Sequence, residues 1–501
     1  MTRPPATTPV APAPSVATAP SPGPPAPVVV VGAGPVGLLL ACELRTAGVP
    51  VVVVERLAEP MTESRASQLT ALTAELLHER GFDALLAEAA HEPRAHFGGL
   101  GYDLSALDSP YAGNWKVPQY RTEAFLGRRA AELGATVLRS TELTGLTEGP
   151  DHVMCEVHGP AGPRRIEARY VVGCDGARGA VRRLAGFAVT ATAPTRELLR
   201  ADVTGLAVRD RRFERLPGGF AVASTRDGVT RVMVHATGRA VTARTGPPEF
   251  AEIAARWEQV TGEDISGGRA VWLDAFDNST AHATTYRRGR VLLAGDAAHH
   301  HLPIGGQALN TGLQDAVNLG WKLAATVRGL AAPGLLDTYH DERHPVAARV
   351  LAHVTAQELL LLGGSEAQPL RAVLTELTGL DRVRTHLAAA ASNLGDRYGP
   401  PGPGLTGRRV AGLRLRTAEG PLLATGPGPV LLTLAPGAAG PGRFSVPVLH
   451  AIDESGSLPG ITTVLLRPDG YVAWADDSEE DLDQALGKLL HPEGRKRNAR
   501  L

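Results

Sequence analysis

The chain has 501 residues, enough for two to four domains and a large core. Hydrophobic residues make up 43% and charged residues 21%, and the formal net charge is -1, so nothing electrostatic points to nucleic acid or an anionic membrane as partner. No apolar run approaches the roughly 20 residues of a membrane-spanning helix, and the 3 cysteines, Cys42, Cys155 and Cys174, lack metal or redox spacing, so a reduced cytoplasmic setting is expected.

Residues 1–26 are almost wholly Pro, Ala, Thr, Ser and Val, without the basic start and apolar core of a secretory signal. They offer too little apolar surface to offset ordering entropy, and a disordered tail is expected. Val28 to Val31 predicts a strand. Gly32-Ala33-Gly34-Pro35-Val36-Gly37 predicts a tight turn into a helix with Val36, Leu39, Leu40 and Leu44 on one face, ended by Gly48. Val51 to Val54 is the next strand, closed by Glu55 and followed by Arg56. A βαβ unit with GxGxxG at its first turn and an acid about 20 residues on is the pattern for a dinucleotide site. Gly32 permits the turn, Gly34 admits a pyrophosphate, and Gly37 lets the helix sit close to the strand. The helix N-terminus receives the phosphate charge, and Glu55 can accept hydrogen bonds from a ribose.

Ser64-Arg65-Ala66-Ser67 leads into a helix predicted over Leu69 to Arg80. Arg65 is either a ligand contact or a solvated charge at the helix start. Gln119, at the entry to the following helix, reads as a capping or loop residue. Short strands then run to Ala168–Val172, where Gly173-Cys174-Asp175-Gly176 presents a carboxylate at a sheet's C-terminal edge, the place where open α/β sheets bind ligands. Residues 190–280 read as a sheet-rich insertion with one helix over Pro248 to Val260.

Val291 to Leu323 predicts a buried strand, a glycine-rich loop carrying Asp296, Pro303, Gly305 and Gly306, and a long helix from Gln307. Apolar residues at Leu309, Leu313, Ala316, Val317, Gly320 and Leu323 form its stripe. The helix N-terminus offers free N–H groups and a positive dipole end to whatever the loop holds. Trp321 reads as core and Lys322 as a solvated face. His299-His300-His301 are consecutive and cannot face one metal together, and no acidic or cysteine cluster supports them, so no metal is expected; one of them could line a substrate cavity. Gly399 to Gly407 reads as a linker. Beyond it come strands at Pro429–Leu434 and Val464–Leu466, a hairpin at Pro468-Asp469-Gly470, and a helix capped by Ser478.

Three motifs, GAGPVG at 32–37, GCDGAR at 173–178 and GDAAHHHLPIGGQALNTGLQDAVNLGWKL at 295–323, resemble those of the single-component FAD-dependent aromatic hydroxylases, closest to the aromatic polyketide hydroxylases. RPDGYVAW at 467–474 is similar to the thioredoxin-like tail of that subgroup. The resemblance implies an α/β fold: a Rossmann-like FAD-binding domain in two parts, residues 27–190 and 281–395, a sheet-rich substrate domain at 191–280, and a C-terminal thioredoxin-like domain at 396–501. Without a cysteine that tail cannot perform thiol chemistry, and packing or dimerisation is its expected role.

By the same resemblance, Gly32, Gly34, Pro35, Val36 and Gly37 hold the FAD pyrophosphate, and Glu55 and Arg56 meet the adenosine ribose. Asp175 handles both FAD and the reductant, and Asp296 binds the ribityl chain. Pro303, Gly305, Gly306, Ala308, Leu309 and Asn310 lie along the isoalloxazine. Gln119 and Arg65 match flavin-contact positions less closely. The implied reaction uses NADPH or NADH and O2 to hydroxylate a polycyclic aromatic polyketide through a flavin C4a-hydroperoxide, with no catalytic side chain assigned. Baeyer–Villiger insertion and a flavin-binding protein without turnover remain alternatives, and a monomer and a homodimer are both open. Ala308, Gly179 and Leu72 depart from residues more usual in the family.

Overall fold

The computed structural model describes residues 26–63, 66–399, 404–409, 414–418, 420–422, 426–435 and 440–492. Residues 1–25 of the N-terminal tail, Arg65, and residues 400–403 of the linker lie outside them. Val28–Val31 is the centre of a six-stranded sheet. It pairs in parallel with Val51–Val54 on one side and Tyr170–Gly173 on the other; Thr136–Leu138 and Val291–Leu293 extend the parallel array, and Arg287–Arg288 closes one edge antiparallel. Both faces are covered, which is why the inner strands are unbroken valine and leucine rather than alternating.

The helix Pro35–Thr46 starts on a proline, whose missing N–H costs nothing there, and buries Leu38, Leu39, Leu40 and Leu44. It packs on the helix Gln307–Val327 at glycines. A Cβ on Gly312 would come within 2.8 Å of the Val36 side chain, and one on Gly320 within 2.5 Å of Glu43 Cβ. Small residues there let the two helices approach closely and bring their N-termini to the same edge of the sheet.

A second, five-stranded antiparallel sheet comprises Glu197–Thr204, Arg211–Leu216, Gly219–Arg226, Val229–Ala236 and Arg269–Asp277. The helix Phe250–Thr261 backs it through Ile253, Trp257 and Val260. Its other face shares a core with the loop and the long helix Thr338–Leu362: Leu198 and Phe220 meet Leu302, Ile304, Val350 and Val354. By length and composition alone the helix Thr338–Leu362 could cross a membrane. Half of its apolar window is buried, and Arg343 on it is ion-paired inside the protein.

A third sheet, six-stranded and mixed, holds Val430–Thr433 and Thr463–Leu466 at its centre, with the helix Leu482–Leu489 alongside. Leu431, Leu465 and Trp474 pack on Trp321 and Leu335. Three local expectations are corrected. Leu69–Thr70 is a short strand paired with Asn114–Lys116, so the helix begins only at Ala71, because the Asn310 side chain holds the Thr70 N–H at 2.9 Å. The last helix is capped by Asp481, not Ser478, whose hydroxyl instead accepts from Glu480 N–H at 3.2 Å. Lys322 is wholly buried, not solvated: its ammonium donates to Glu342 at 2.7 Å, and Glu342 also accepts from Arg467 of the C-terminal sheet.

Candidate active site

The C-terminal ends of the strands Val28–Val31, Tyr170–Gly173 and Val291–Leu293 define one edge, and three loops leave from it. In the first, a Cβ on Gly37 would overlap the Gly32 carbonyl, so the helix can close on the turn only as glycine. Gly34 differs: a Cβ there would meet nothing within 4 Å. The backbone at Gly34 faces open space in front of the helix start, the cradle that a phosphate needs. Glu55 accepts from Ala33 N–H at 2.7 Å and Leu57 N–H at 2.8 Å, which fixes its carboxylate beside the same turn; Arg56 is exposed.

The second loop carries Asp175. Oδ2 accepts from Val181 N–H at 2.9 Å, while Oδ1 is buried without a hydrogen-bond partner. Burial pushes the carboxyl above its usual range, against the pull of the backbone N–H groups. A Cβ on Gly179 would meet this carboxylate where it now lies, so the Asp175 side chain uses the space the glycine leaves.

The third loop is the longest. Gly295 lies against Val36, and a Cβ on it would come within 3.2 Å of that side chain; Asp296 sits in the short 3-10 turn Gly295–Ala297. Gly305 and Gly306 both adopt left-handed backbone, with φ of 72° and 71°, and re-aim the chain into the helix from Gln307. Asn310 is wholly buried and braces this turn. Its Oδ1 takes the Thr70 N–H, and its Nδ2 donates to the Gly306 carbonyl at 2.7 Å and the Gln68 carbonyl at 3.2 Å. Gln119 is the first helical residue of Gln119–Glu132, and its Oε1 accepts from Ala66 N–H at 3.3 Å.

Below the loop lies a charged core. Asp315 accepts from His299 at 2.6 Å, from Gly295 N–H at 3.0 Å and from Arg343 at 2.7 Å. His299 thus steadies the loop through a carboxylate. His301 donates from Nδ1 to the Leu302 carbonyl at 3.0 Å, and burial pushes it down to about 4. None of the three consecutive histidines lines the main cavity.

That cavity, of ≈ 620 Å³, opens between the five-stranded sheet and the loop. Pro303, Gly305, Gly306, Ala308 and Leu309 form one wall; Phe213, Phe220, Met233 and Phe276 form the opposite one. Gln68, His96 and Lys116 complete it from three separate segments, and sequence reasoning gave none of the three side chains a role in the site. No local signal marks those side chains, because the segments that bring them together are far apart in the chain.

Gly34, Asp175 and Asp296 therefore gather at the sheet edge, while Pro303 to Leu309 face the cavity. Open space at Gly34, an unsatisfied buried oxygen on Asp175 and a helix N-terminus behind a left-handed glycine pair suit a long anionic cofactor that ends in a flat ring.

The comparisons with known proteins agree. Residues 25–354 match the family model described as FAD binding domain, and residues 403–492 match that of the aromatic-ring hydroxylase C-terminal region. The chain is 40% identical over 483 residues to the 12-dehydrotetracycline 5-monooxygenase/anhydrotetracycline 6-monooxygenase of Streptomyces rimosus, covering 90% of this chain and 95% of that protein. It superposes on an aromatic hydroxylase from angucycline biosynthesis with a TM-score of 0.88 and 44% identity, covering 93% of this chain and 99% of the other. It is also 38% identical to the dialkyldecalin synthase of Streptomyces rugosporus, over 92% of this chain and 98% of that protein. The chain belongs to the FAD-dependent aromatic polyketide hydroxylases.

Proposed function

We propose that this protein uses NADPH or NADH and O2 to hydroxylate a polycyclic aromatic polyketide. The observation that carries this reading is the cavity whose two walls are the Pro303–Leu309 loop and the apolar face of the five-stranded sheet. Its volume suits several fused rings. In the same reading the chain divides into a Rossmann-like FAD domain at 27–190 and 281–395, a substrate domain at 191–280, and a thioredoxin-like domain at 396–501.

FAD, when bound, supplies the electron transfer from the nicotinamide and the activation of O2; one oxygen atom enters the ring and the other leaves as water. The chain's residues bind and orient. The Gly32–Gly37 turn and its helix take the pyrophosphate, Glu55 the ribose, and Asp175 and Asp296 the rest of the cofactor's hydroxyl-bearing chain. The helix from Gln307 would hold the ring at its N-terminus, where free N–H groups and the positive dipole end would favour negative charge. Phe213, Phe220 and Phe276 exclude water from the substrate side.

The chain is an FAD-dependent monooxygenase by family, and the finer reading concerns the reductant, the substrate and the fate of the oxygen atom. The test is a reaction of FAD-loaded protein with NADPH, isotopically labelled O2 and a panel of polycyclic phenols. Nicotinamide oxidation and a product that gains one labelled oxygen with its ring connectivity unchanged are expected. An FAD-loaded protein that never consumes nicotinamide with any of them defeats the reading, and a ring-expanded product replaces hydroxylation by insertion.

A further inference from the structure

Lys116 ends the strand Asn114–Lys116 and lines the cavity together with the Gly305–Leu309 stretch. Its Nζ donates to Gln68 Oε1 at 2.8 Å, and Gln68 Nε2 in turn donates to the Gly305 carbonyl at 3.4 Å. Gln68 also fills the space a Cβ on Gly306 would occupy. One side chain therefore ties a cation in the cavity wall to the loop that faces the ring.

Five of the cavity's guanidinium groups are already matched. Arg94, Arg200, Arg211, Arg212 and Arg231 each reach a carboxylate, and Arg226 is exposed. Lys116 is half-buried and, among the described residues, has no carboxylate within ion-pairing distance. Glu92, on the strand beside it, acts on it through space but is held by Arg94 at 3.0 Å and Arg212 at 2.6 Å. Burial pushes the Lys116 ammonium down to about 8; Glu92 opposes this, and Arg212 and Arg226 add to it. It is still largely charged at neutral pH. An ammonium with one amide acceptor has further N–H groups to give, and a sheltered charge without a counter-ion is costly. The cavity thus presents an ammonium without a counter-ion in the same space as the aromatic side chains of its wall.

We propose that Lys116 is the subsite for an ionised oxygen of the substrate, a phenolate or enolate on the polycyclic ring system, which serves as its missing counter-ion. This rests on the cavity's being the substrate site of the proposed reaction. The ion pair fixes which end of the fused rings points along the strand Asn114–Lys116, and so which ring faces the loop. Lys116 is then a specificity-determining residue.

The test titrates FAD-loaded protein at neutral pH with alizarin, a dihydroxyanthraquinone, and with its dimethyl ether, which cannot ionise. The wild type is expected to hold alizarin about tenfold or more tighter than the ether, the effect of a charged hydrogen bond. Lys116→Met should erase that preference while flavin content stays the same, and Lys116→Arg should keep most of it. A wild type that fails to bind alizarin, or that binds both probes alike, overturns the proposal whatever the variant does. So does a flavin-loaded Lys116→Met that still prefers alizarin. Failure of nicotinamide turnover with the preference intact sinks the monooxygenase reading and leaves the subsite standing.

Discussion

Asp315 and Arg343 meet at 2.7 Å with neither side chain exposed to solvent. Asp315 belongs to the helix that follows the glycine loop, Arg343 to the long helix behind it. Arg343 also donates to the Thr311 carbonyl at 3.1 Å and to the Tyr398 hydroxyl at 3.3 Å, and Asp315 reaches Gly295 and His299. The ion pair is the knot between the loop that holds Asp296 and the body of the protein.

Asp315→Asn should therefore cost about 3–5 kcal/mol, because it leaves Arg343 as an uncompensated buried charge. Denaturant unfolding of both proteins measures this. The pH dependence has a definite sign. Burial raises the Asp315 carboxyl, but His299 and Arg343 outweigh it, and the net position is below the usual carboxylate range. Its contribution is present above the unfolded-state value of roughly 3.9 and is lost as pH falls through the lower folded value. The wild type should lose more stability on acidification than Asp315→Asn. Equal losses would place the acid sensitivity elsewhere.

Gly34 and Gly37 make a matched pair of substitutions. Alanine at Gly37 would overlap the Gly32 carbonyl and should cost about 1–3 kcal/mol or more in melting experiments. Alanine at Gly34 meets no protein atom within 4 Å, so the fold should be unchanged and only FAD retention should weaken. A Gly34→Ala protein that keeps its flavin as firmly as the wild type would remove the pyrophosphate from this turn.

Asp175 predicts a trade of stability against function. Its folded carboxyl is raised by burial, so its stabilising, protonated form is present at low pH and is lost as pH rises. At neutral pH the charge is a burden on the fold. Asp175→Asn should melt higher than the wild type and hold FAD less well, which thermal scans with and without added flavin would register. Lower melting in the variant would mean the carboxylate serves the fold.

The parts of this molecule that are local in sequence were legible before the structure. Val28 to Val31, the turn through Gly37 and the helix from Gln307 are set by period and glycine placement within short windows. What escaped is long-range. Lys322 stands opposite its helix's apolar stripe and reads as solvated, yet Glu342 and the distant Arg467 cover it. Gln68, Lys116 and Phe213 become neighbours only when three separate segments close around one cavity. Gly179 looked like a departure from the family pattern, and only the position of the Asp175 carboxylate shows what it accommodates. The Asn310 side chain braces the loop against Thr70, Gln68 and Gly306, contacts that no local pattern displays.

The most direct measurement is the visible absorption spectrum of the purified protein after incubation with FAD and removal of unbound flavin. Retained flavin bands that shift when a polycyclic phenol is added, with the ring and the substrate sharing the cavity between Leu309 and Phe220, are the predicted result. A colourless protein that returns all of its added flavin would contradict the account at its root.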